Sequence, residues 1–445
     1  MSRSIIPGII VLILGLFSTS SFAQIKSEDQ SHQKIEHYSS TDVFNLKEYK
    51  IGSIVEGVDN DFYSGSSFGI PNTIYGAYPV LNNFRYNRVD GLYLGIEKER
   101  MKWRADDFLG VEDININGQL GYSFGQSRFQ YAVGFDKPIG DTKWLLIGAE
   151  YYNTTSTEDY WRTGLNENSI TSVIAGYDYM DYFNKEGIGL YGLIKPGKNL
   201  ELAVSYNDDR YSSIELATRS SLFGYRSTFR LNPVIDDLFN EIELQNVILG
   251  ITLNPEQRIN SRFFSNTFSL RAELSGFSTN TGDFEFNKYM AESKSAIRLD
   301  RSTLLRLRLM GGSITGLAPD FKNFALGGIG SMRATGYKQL TGNQMLLSNL
   351  ELEFGKSSRS ENSHGWVDLS DTFIILFMDS GWSSYSDNLL SGNNPFNGIN
   401  QFRWNDLTHN LGAGIGAGSW RFEVARPIGG AEGQTAFWFR FNPTF

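Results

Sequence analysis

The sequence predicts an all-β protein, a transmembrane antiparallel β-barrel of about sixteen strands. Three observations carry the prediction. Segment after segment alternates apolar and polar residues with period two, and many of the polar positions are charged. No stretch beyond the leader reaches the roughly 18 apolar residues of a membrane-spanning helix. The chain opens on an export-type leader, yet it contains no cysteine.

The leader comes first. Arg3 is a positive n-region, residues 5–17 are an apolar h-region, and Ser21-Phe22-Ala23 is a small-x-small cleavage site. Residues 1–23 are therefore expected to be a signal peptide, with Gln24 starting the mature chain. Without a cysteine there is no lipoprotein anchor, disulfide framework, thiolate metal site or Cys nucleophile. An exported chain without disulfides fits a periplasmic or outer-membrane destination, and the barrel pattern points to the cell outer membrane of Gram-negative type, with its lipids as a partner. Abundant Gly (46) and 14% aromatic residues suit a barrel with a wet interior. A mild net charge of −9, spread along the chain, argues against nucleic acid as a partner.

Residues 24–86 are expected to form a periplasmic N-terminal segment. Its QIKSEDQSHQ start is polar enough to stay disordered. The following part, with GSSFGIPNTIYGAYPV, is too short and irregular for a sizeable domain. The barrel is expected over 87–445. Its candidate strands are 90–99, 114–124, 128–136, 143–153, 186–195, 199–208, 220–231, 242–253, 266–276, 283–296, 302–312, 344–355, 372–382, 408–418, 419–427 and 435–442. The faces are explicit in several. Leu305, Leu307 and Leu309 oppose Arg306 and Arg308. Leu350, Leu352 and Phe354 oppose Asn349, Glu351 and Glu353. Phe268, Leu270, Ala272 and Leu274 oppose Ser269, Arg271 and Glu273. A lysine or arginine facing lipid at mid-depth costs ~2–4 kcal/mol, so the charged faces must point inward. In the final strand Phe437, Phe439 and Phe441 oppose Trp438 and Arg440, and the chain ends on Phe445. Those four phenylalanines read as the signal strand for the barrel-assembly machinery that would insert the chain.

Two connections are long, 313–343 and 383–407. The second is rich in Asn, Ser and Gly, the composition of a solvated surface loop. A third stretch resists the pattern. With both termini periplasmic, 154–185 is far too long for the short turn expected there. Either a helix lies within it, for which DYMDYFNKEG is the candidate, or the strand count is off by a hairpin.

Catalytic patterns are few. Gly65-Ser66-Ser67-Phe68-Gly69 matches G-x-S-x-G but lacks the preceding strand and following helix of a nucleophile elbow. The repeating glycines of 412–418 lie between two strands with no helix behind them, so they are no phosphate loop. They are better read as thinning a strand near the barrel closure. The four histidines, His32, His37, His364 and His409, show no metal-ligand spacing. An outer-membrane phospholipase would need a His–Ser pair on adjacent strands facing lipid at the outer rim, and no such pair is apparent. Neither an enzyme nor a cofactor or metal site is expected.

The segments GGIGSMRATGY (327–337), NLELEF (349–354), LFMDSG (376–381) and RFEVARPIG (421–429), in this order before an aromatic last strand, resemble the bacterial surface antigen superfamily. That superfamily contains outer-membrane assembly factors and two-partner secretion transporters. The likeness covers about 302–445. FRYNRVDGLYLG (84–95) also resembles the first strand of Bacteroidetes-type members, both stand-alone and fused to patatin lipases. The resemblance implies a sixteen-stranded barrel whose sixth outer loop folds into the lumen. It also implies an arginine at the loop tip that contacts two carboxylates on the wall. Carried over, these are Arg333 with Gly336 and Tyr337, and Asp379 with Glu353. A guanidinium in a lumen is stable only when paired, and its fork suits two carboxylates. The chain departs from the pattern in two places. Ala334 and Thr335 are extra between the arginine and Gly-Tyr. Residues 24–86 show no pattern of the periplasmic POTRA modules that receive clients.

The expected function is accordingly the handling of polypeptide or lipid clients at the outer membrane, by insertion, translocation or export. A polypeptide client and a separate periplasmic subunit are the partners implied. The seam is expected between about 91–99 and 435–442. The alternative is a passive pore, or a structural or receptor barrel. The inward charges Arg306, Arg308, Glu351 and Glu353 suit either a packed network that plugs the lumen or a field that lines a conduit. The resemblance favours the plug.

Overall fold

Lipid-facing strands must satisfy every backbone polar group against a neighbour, so the alternating segments close on one another as a ladder. The computed structural model describes residues 84–98, 114–140, 144–197, 199–223, 229–235, 241–254, 259–261, 264–276, 284–300, 302–355, 372–392, 394–418, 420–429 and 433–441. Within them sixteen strands pair antiparallel, each with the next along the chain. They are β1 (Phe84–Asn87), β2 (Gly91–Lys98), β3 (Asn115–Ser123), β4 (Arg128–Ile139), β5 (Leu145–Ser156), β6 (Phe183–Gly197), β7 (Leu200–Ser213), β8 (Glu241–Leu253), β9 (Phe264–Ser275), β10 (Phe286–Arg298), β11 (Thr303–Gly316), β12 (Gln344–Phe354), β13 (Thr372–Ser384), β14 (Thr408–Ala417), β15 (Trp420–Ile428) and β16 (Ala436–Phe441). A three-residue strand, Ile259–Ser261, pairs onto the start of β9.

The fold is a barrel turned inside out relative to a soluble domain. Outward positions are apolar and exposed, such as Leu309 on β11, Leu350 on β12, Ile374 and Leu376 on β13 and Phe422 on β15. Inward positions on the same strands are charged and buried: Arg306, Arg308, Glu351, Glu353, Asp379, Arg421, Glu423 and Arg440. No described helix is long and apolar enough to cross a membrane.

Three expectations need correction. Phe84–Asn87 already belongs to the barrel, because FRYN and Gly91–Lys98 form a hairpin closed by the three-residue turn at 88–90. The described parts of 220–231 are irregular, not a strand. Adding β1 and removing 220–231 leaves sixteen and moves every connection between them to the opposite rim. The stretch 157–182 therefore lies on the same rim as 317–343 and 385–407, where long loops belong. It also holds a helix, α1 (Leu165–Ala175), just before the DYMDYFNKEG stretch. Gly176 terminates α1 in the left-handed conformation, with φ 72°. The expected signal peptide and most of 24–86, with Ser67, His32 and His37, lie outside the described residues, as do His364 and Phe445.

Candidate functional site

The loop between β11 and β12 turns into the lumen. A hairpin of Phe324–Leu326 with Leu340–Gly342 forms its base. Phe324, Leu326 and Met332 bury against wall residues Phe183, Met310, Ile314, Met345 and Leu347. The tip passes so close to the loop after β5 that a Cβ on Gly330 would overlap the Arg162 carbonyl oxygen. Gly330 also has φ +70°, so glycine is required there on two grounds.

Arg333 sits at the tip, buried. Its Nε donates to Asp379 Oδ2 at 2.9 Å and its Nη2 to Oδ1 at 2.8 Å, a two-pronged pair, while its backbone N–H donates to Oδ2 at 3.1 Å. Nη1 donates to Glu351 Oε1 at 2.7 Å and to Glu423 Oε2 at 3.2 Å. The guanidinium lies over the Phe377 ring, 3.4 Å from its centroid. Burial alone would lower the arginine's pKa, but the carboxylates of Asp379, Glu423 and Glu351 outweigh it and raise it well above its ordinary value. The carboxylate partner on β12 is thus Glu351, not Glu353. Both share the inward face, one pleat apart. Glu353 binds Arg421 Nη2 at 2.8 Å and lies 3.5 Å from Arg306 Nη1. The resemblance identified the strand and the face but not the pleat. Glu423 was missed, although R-F-E-V-A-R alternates clearly enough to place it inward.

The two extra residues do not displace Arg333. Thr335 N–H donates to Met332 O at 3.1 Å, closing a turn. Ala334 packs among Phe373, Ile375, Phe377 and Ala425. Asn410 Nδ2 donates to Thr335 Oγ1 at 3.2 Å. The insertion becomes a wall contact. Gly336 is exposed, and its N–H donates to Gln339 Oε1 at 2.9 Å. Tyr337 reaches away from Arg333: its hydroxyl donates to Tyr179 O at 2.9 Å, and Arg230 Nη2 donates to that hydroxyl at 2.9 Å.

Around Tyr337, four connections lock together. Lys338 Nζ donates to Asp159 and Asp181, each at 2.7 Å. Arg88 of the β1–β2 turn donates from Nη2 to Asp181 at 2.9 Å, and its backbone N–H donates to Asp178 at 2.8 Å. Arg230 pairs with Asp181 from the β7–β8 connection. Deeper, Lys322 binds Glu158 at 2.7 Å and Glu273 of the wall at 2.9 Å. Burial would raise the carboxyls of Asp181 and Glu158; Lys338 and Arg230 beside the one, and Lys322 and Lys288 beside the other, hold both below their ordinary values. A carboxylate depressed on folding stabilises at neutral pH and loses that contribution as pH falls through the acid range. The expected result is a plug that holds at pH 7 and loosens below about pH 4. Cleavage of 317–343 by an acid-active protease, measured from pH 5 to pH 3, checks it. A flat profile would show that these pairs do not hold the loop.

The seam is the third element. β1 and β16 are the two ends of the ladder, and α1 bridges them from inside. The buried Glu167 carboxylate accepts from Arg440 Nε at 3.0 Å and Nη2 at 3.2 Å, and from the Phe441 N–H at 3.3 Å. Two residues on, Ser169 Oγ accepts from the Tyr86 N–H at 3.3 Å. The plug thus touches a backbone donor on each seam strand. Trp438 of β16 ties in the loop tip, donating from Nε1 to Arg333 O at 2.9 Å. Phe437, Phe439 and Phe441 take the opposite, outward face, with Phe437 79% exposed. The seam strand at the N-terminal side is β1, not the expected 91–99. The sequence reading offered DYMDYFNKEG as the helix and not α1, whose buried face is largely polar, with Glu167, Asn168, Ser169, Thr171 and Ser172, while Ile170 and the contact of Leu165 with Val89, Met180 and Tyr182 are its apolar part. A long apolar stripe, the signal that finds a core helix, is not there to be read.

No family model and no curated protein matches the chain. Solved structures do. BamA from Haemophilus ducreyi, lacking POTRA domains 1–3, is 14% identical with a TM-score of 0.50; the likeness covers 80% of this chain and 68% of that one. CdiB from Acinetobacter baumannii is 13% identical with a TM-score of 0.42, over 78% of this chain and 55% of that one. CdiB from Escherichia coli is 13% identical with a TM-score of 0.43, over 80% and 60%. At these identities the likeness is one of fold, and the chain folds as a transmembrane β-barrel similar to that of BamA.

Proposed function

We propose that this chain is an outer-membrane barrel of the surface antigen type that handles polypeptide or lipid clients at the seam between β1 and β16, with its lumen plugged. The observation that carries the reading is the joint anchoring of plug and seam. The loop tip at Arg333, the helix at Glu167 and the last strand at Trp438 and Arg440 form one connected set. A diffusion pore has no use for a lumen filled by three interlocked loops. Within the described residues β1 pairs with β2 and β16 with β15, which leaves β1 and β16 as the ends of the ladder and makes the seam between them the line to open. Clients and any periplasmic subunit belong to this proposal too, as does the absence of POTRA modules on this chain.

Single-channel recording in planar bilayers tests it. The plugged barrel gives a small, flickering conductance that rises when the Arg333 contact is broken. A steady, open, salt-dependent conductance in the unaltered protein would support the passive pore and sink the proposal.

A further inference from the structure

One polar pair faces the wrong way for a plugged lumen. His409 on β14 and Ser380 on β13 are directly opposed in register, and His409 Nδ1 lies 2.8 Å from Ser380 Oγ. Alternation puts both outward. Phe377 and Asp379 are buried inward, Met378 is exposed outward, and Ser380 follows it on that face, shielded to 8% exposure. Asn410 is buried inward between the half-buried His409 and the exposed Leu411. This is the His–Ser pair on adjacent strands that the sequence did not reveal. Neither residue sits in a motif, and only the register joins them.

The depth is informative. A transmembrane strand crosses in ~9–11 residues. Counted from Thr372, where β13 starts, that crossing ends at Ser380 to Trp382. Aromatic rings mark the same level, as they do at a membrane interface. Trp382 and Phe402 pack edge to face at 5.3 Å, Phe402 and Trp404 at 5.3 Å, and Trp404 is 79% exposed. The 385–407 loop is therefore not simply a solvated connection, since it adds exposed Leu390, Phe396 and Ile399 to this rim. One pleat below the pair, Arg426 of β15 stands exposed in register with Leu411. A guanidinium facing lipid is tolerated only near the headgroups, where it meets phosphate.

We propose that Ser380 and His409 form a site for a glycerolipid, in which Ser380 attacks an acyl ester at the loop-rim interface. A glycerolipid places its ester carbonyls at this depth, just under its headgroup. The contact is that of a hydroxyl nucleophile with its base. With the imidazole proton on Nε2, Nδ1 accepts the Ser380 proton as Oγ bonds to the carbonyl carbon. The ester C–O bond then breaks, and His409 returns the proton to the leaving lysolipid oxygen. Water attacks the acyl-serine, His409 takes its proton, and fatty acid and free Ser380 result. The exposed Met378, Leu411 and Ile415 below offer the acyl chain an apolar track.

The test uses the full chain reconstituted in phosphatidylethanolamine–phosphatidylglycerol vesicles. Heat-modifiable gel mobility confirms folding of each variant. Mass spectrometry then follows free fatty acid, and intact mass follows a fluorophosphonate adduct. The expected result is release and labelling in the unaltered protein, both abolished in Ser380→Ala. His409→Asn is expected to release fatty acid ~10²–10⁴-fold more slowly. Equal release and labelling in the unaltered protein and Ser380→Ala would overturn the proposal, as would a His409→Asn variant of full rate.

Discussion

Arg333→Glu is expected to expel the tip of the 317–343 loop from the lumen and to destabilise the barrel more than any other single change at the site. The substitution removes the one cation shared by Asp379, Glu351 and Glu423 and adds a fourth carboxylate beside them. Removing one partner of a buried pair costs about 3–5 kcal/mol, and like-charge repulsion pushes this variant to the upper end. Proteinase cleavage of 317–343 and heat-modified gel mobility measure it. A simple exchange with Asp379→Arg is expected to restore the loop only in part. The guanidinium introduced on β13 would face the carboxylate introduced at the loop tip, but that carboxylate would still stand against Glu351 and Glu423. Adding Glu351→Gln to the exchange should recover more. If Arg333→Glu leaves cleavage unchanged, the loop is held by its apolar base at Phe324, Leu326 and Met332, and the ion contacts are incidental.

The second large effect is expected at Glu167. Both carboxylate oxygens bind Arg440, one also accepts the Phe441 N–H, and Thr163 Oγ1 donates to the carboxylate at 2.7 Å. Glu167→Ala withdraws this carboxylate from a buried guanidinium, a loss of about 3–5 kcal/mol. At ~1.4 kcal/mol per tenfold, amide exchange at 84–87 and 436–441 should speed by roughly 100-fold or more. Exchange in β6–β8, on the far wall, should stay as it was. Glu167→Gln keeps one acceptor and should fall between the two. Uniform acceleration through the whole barrel would mean that the helix supports general stability and does not hold the seam specifically.

Much of this was legible in the sequence, for a physical reason. Lipid on one side and ion pairs on the other impose a strict two-residue period, so Leu305 to Leu309 and Leu350 to Phe354 could be assigned faces without a structure. Arg333 and Asp379 were found through motif resemblance, and the geometry brings them together. What could not be read depends on register or on long-range contact. Glu351 and Glu353 are equivalent by alternation, and only the depth of the loop tip chooses between them. The hairpin of Phe84–Asn87 with β2 rests on a pairing that no period announces, and 220–231, expected as a strand, is irregular in its described parts. Helix α1 presents Glu167, Asn168 and Ser169 to buried partners, which is opposite to the pattern expected of a core helix. His409 and Ser380, 29 positions apart, meet only because β13 and β14 pair in one register.

The span of the Glu167–Arg440 contact has a consequence for how the chain folds. The two residues are separated by 273 positions, and Arg333 meets Glu423 across 90. A helix made early in synthesis must therefore wait for the last strand before its carboxylate finds a partner. Contacts this distant in sequence form slowly, because the ends of a long loop must first be brought together. Until then the inner face of the nascent sheet carries uncompensated carboxylates and guanidinia that water can hydrate. Lumen filling and ring closure are thus one late, cooperative step. A chain stalled before β16 would be a hydrated open sheet with its latch unset, the form most exposed to proteolysis and edge-to-edge association.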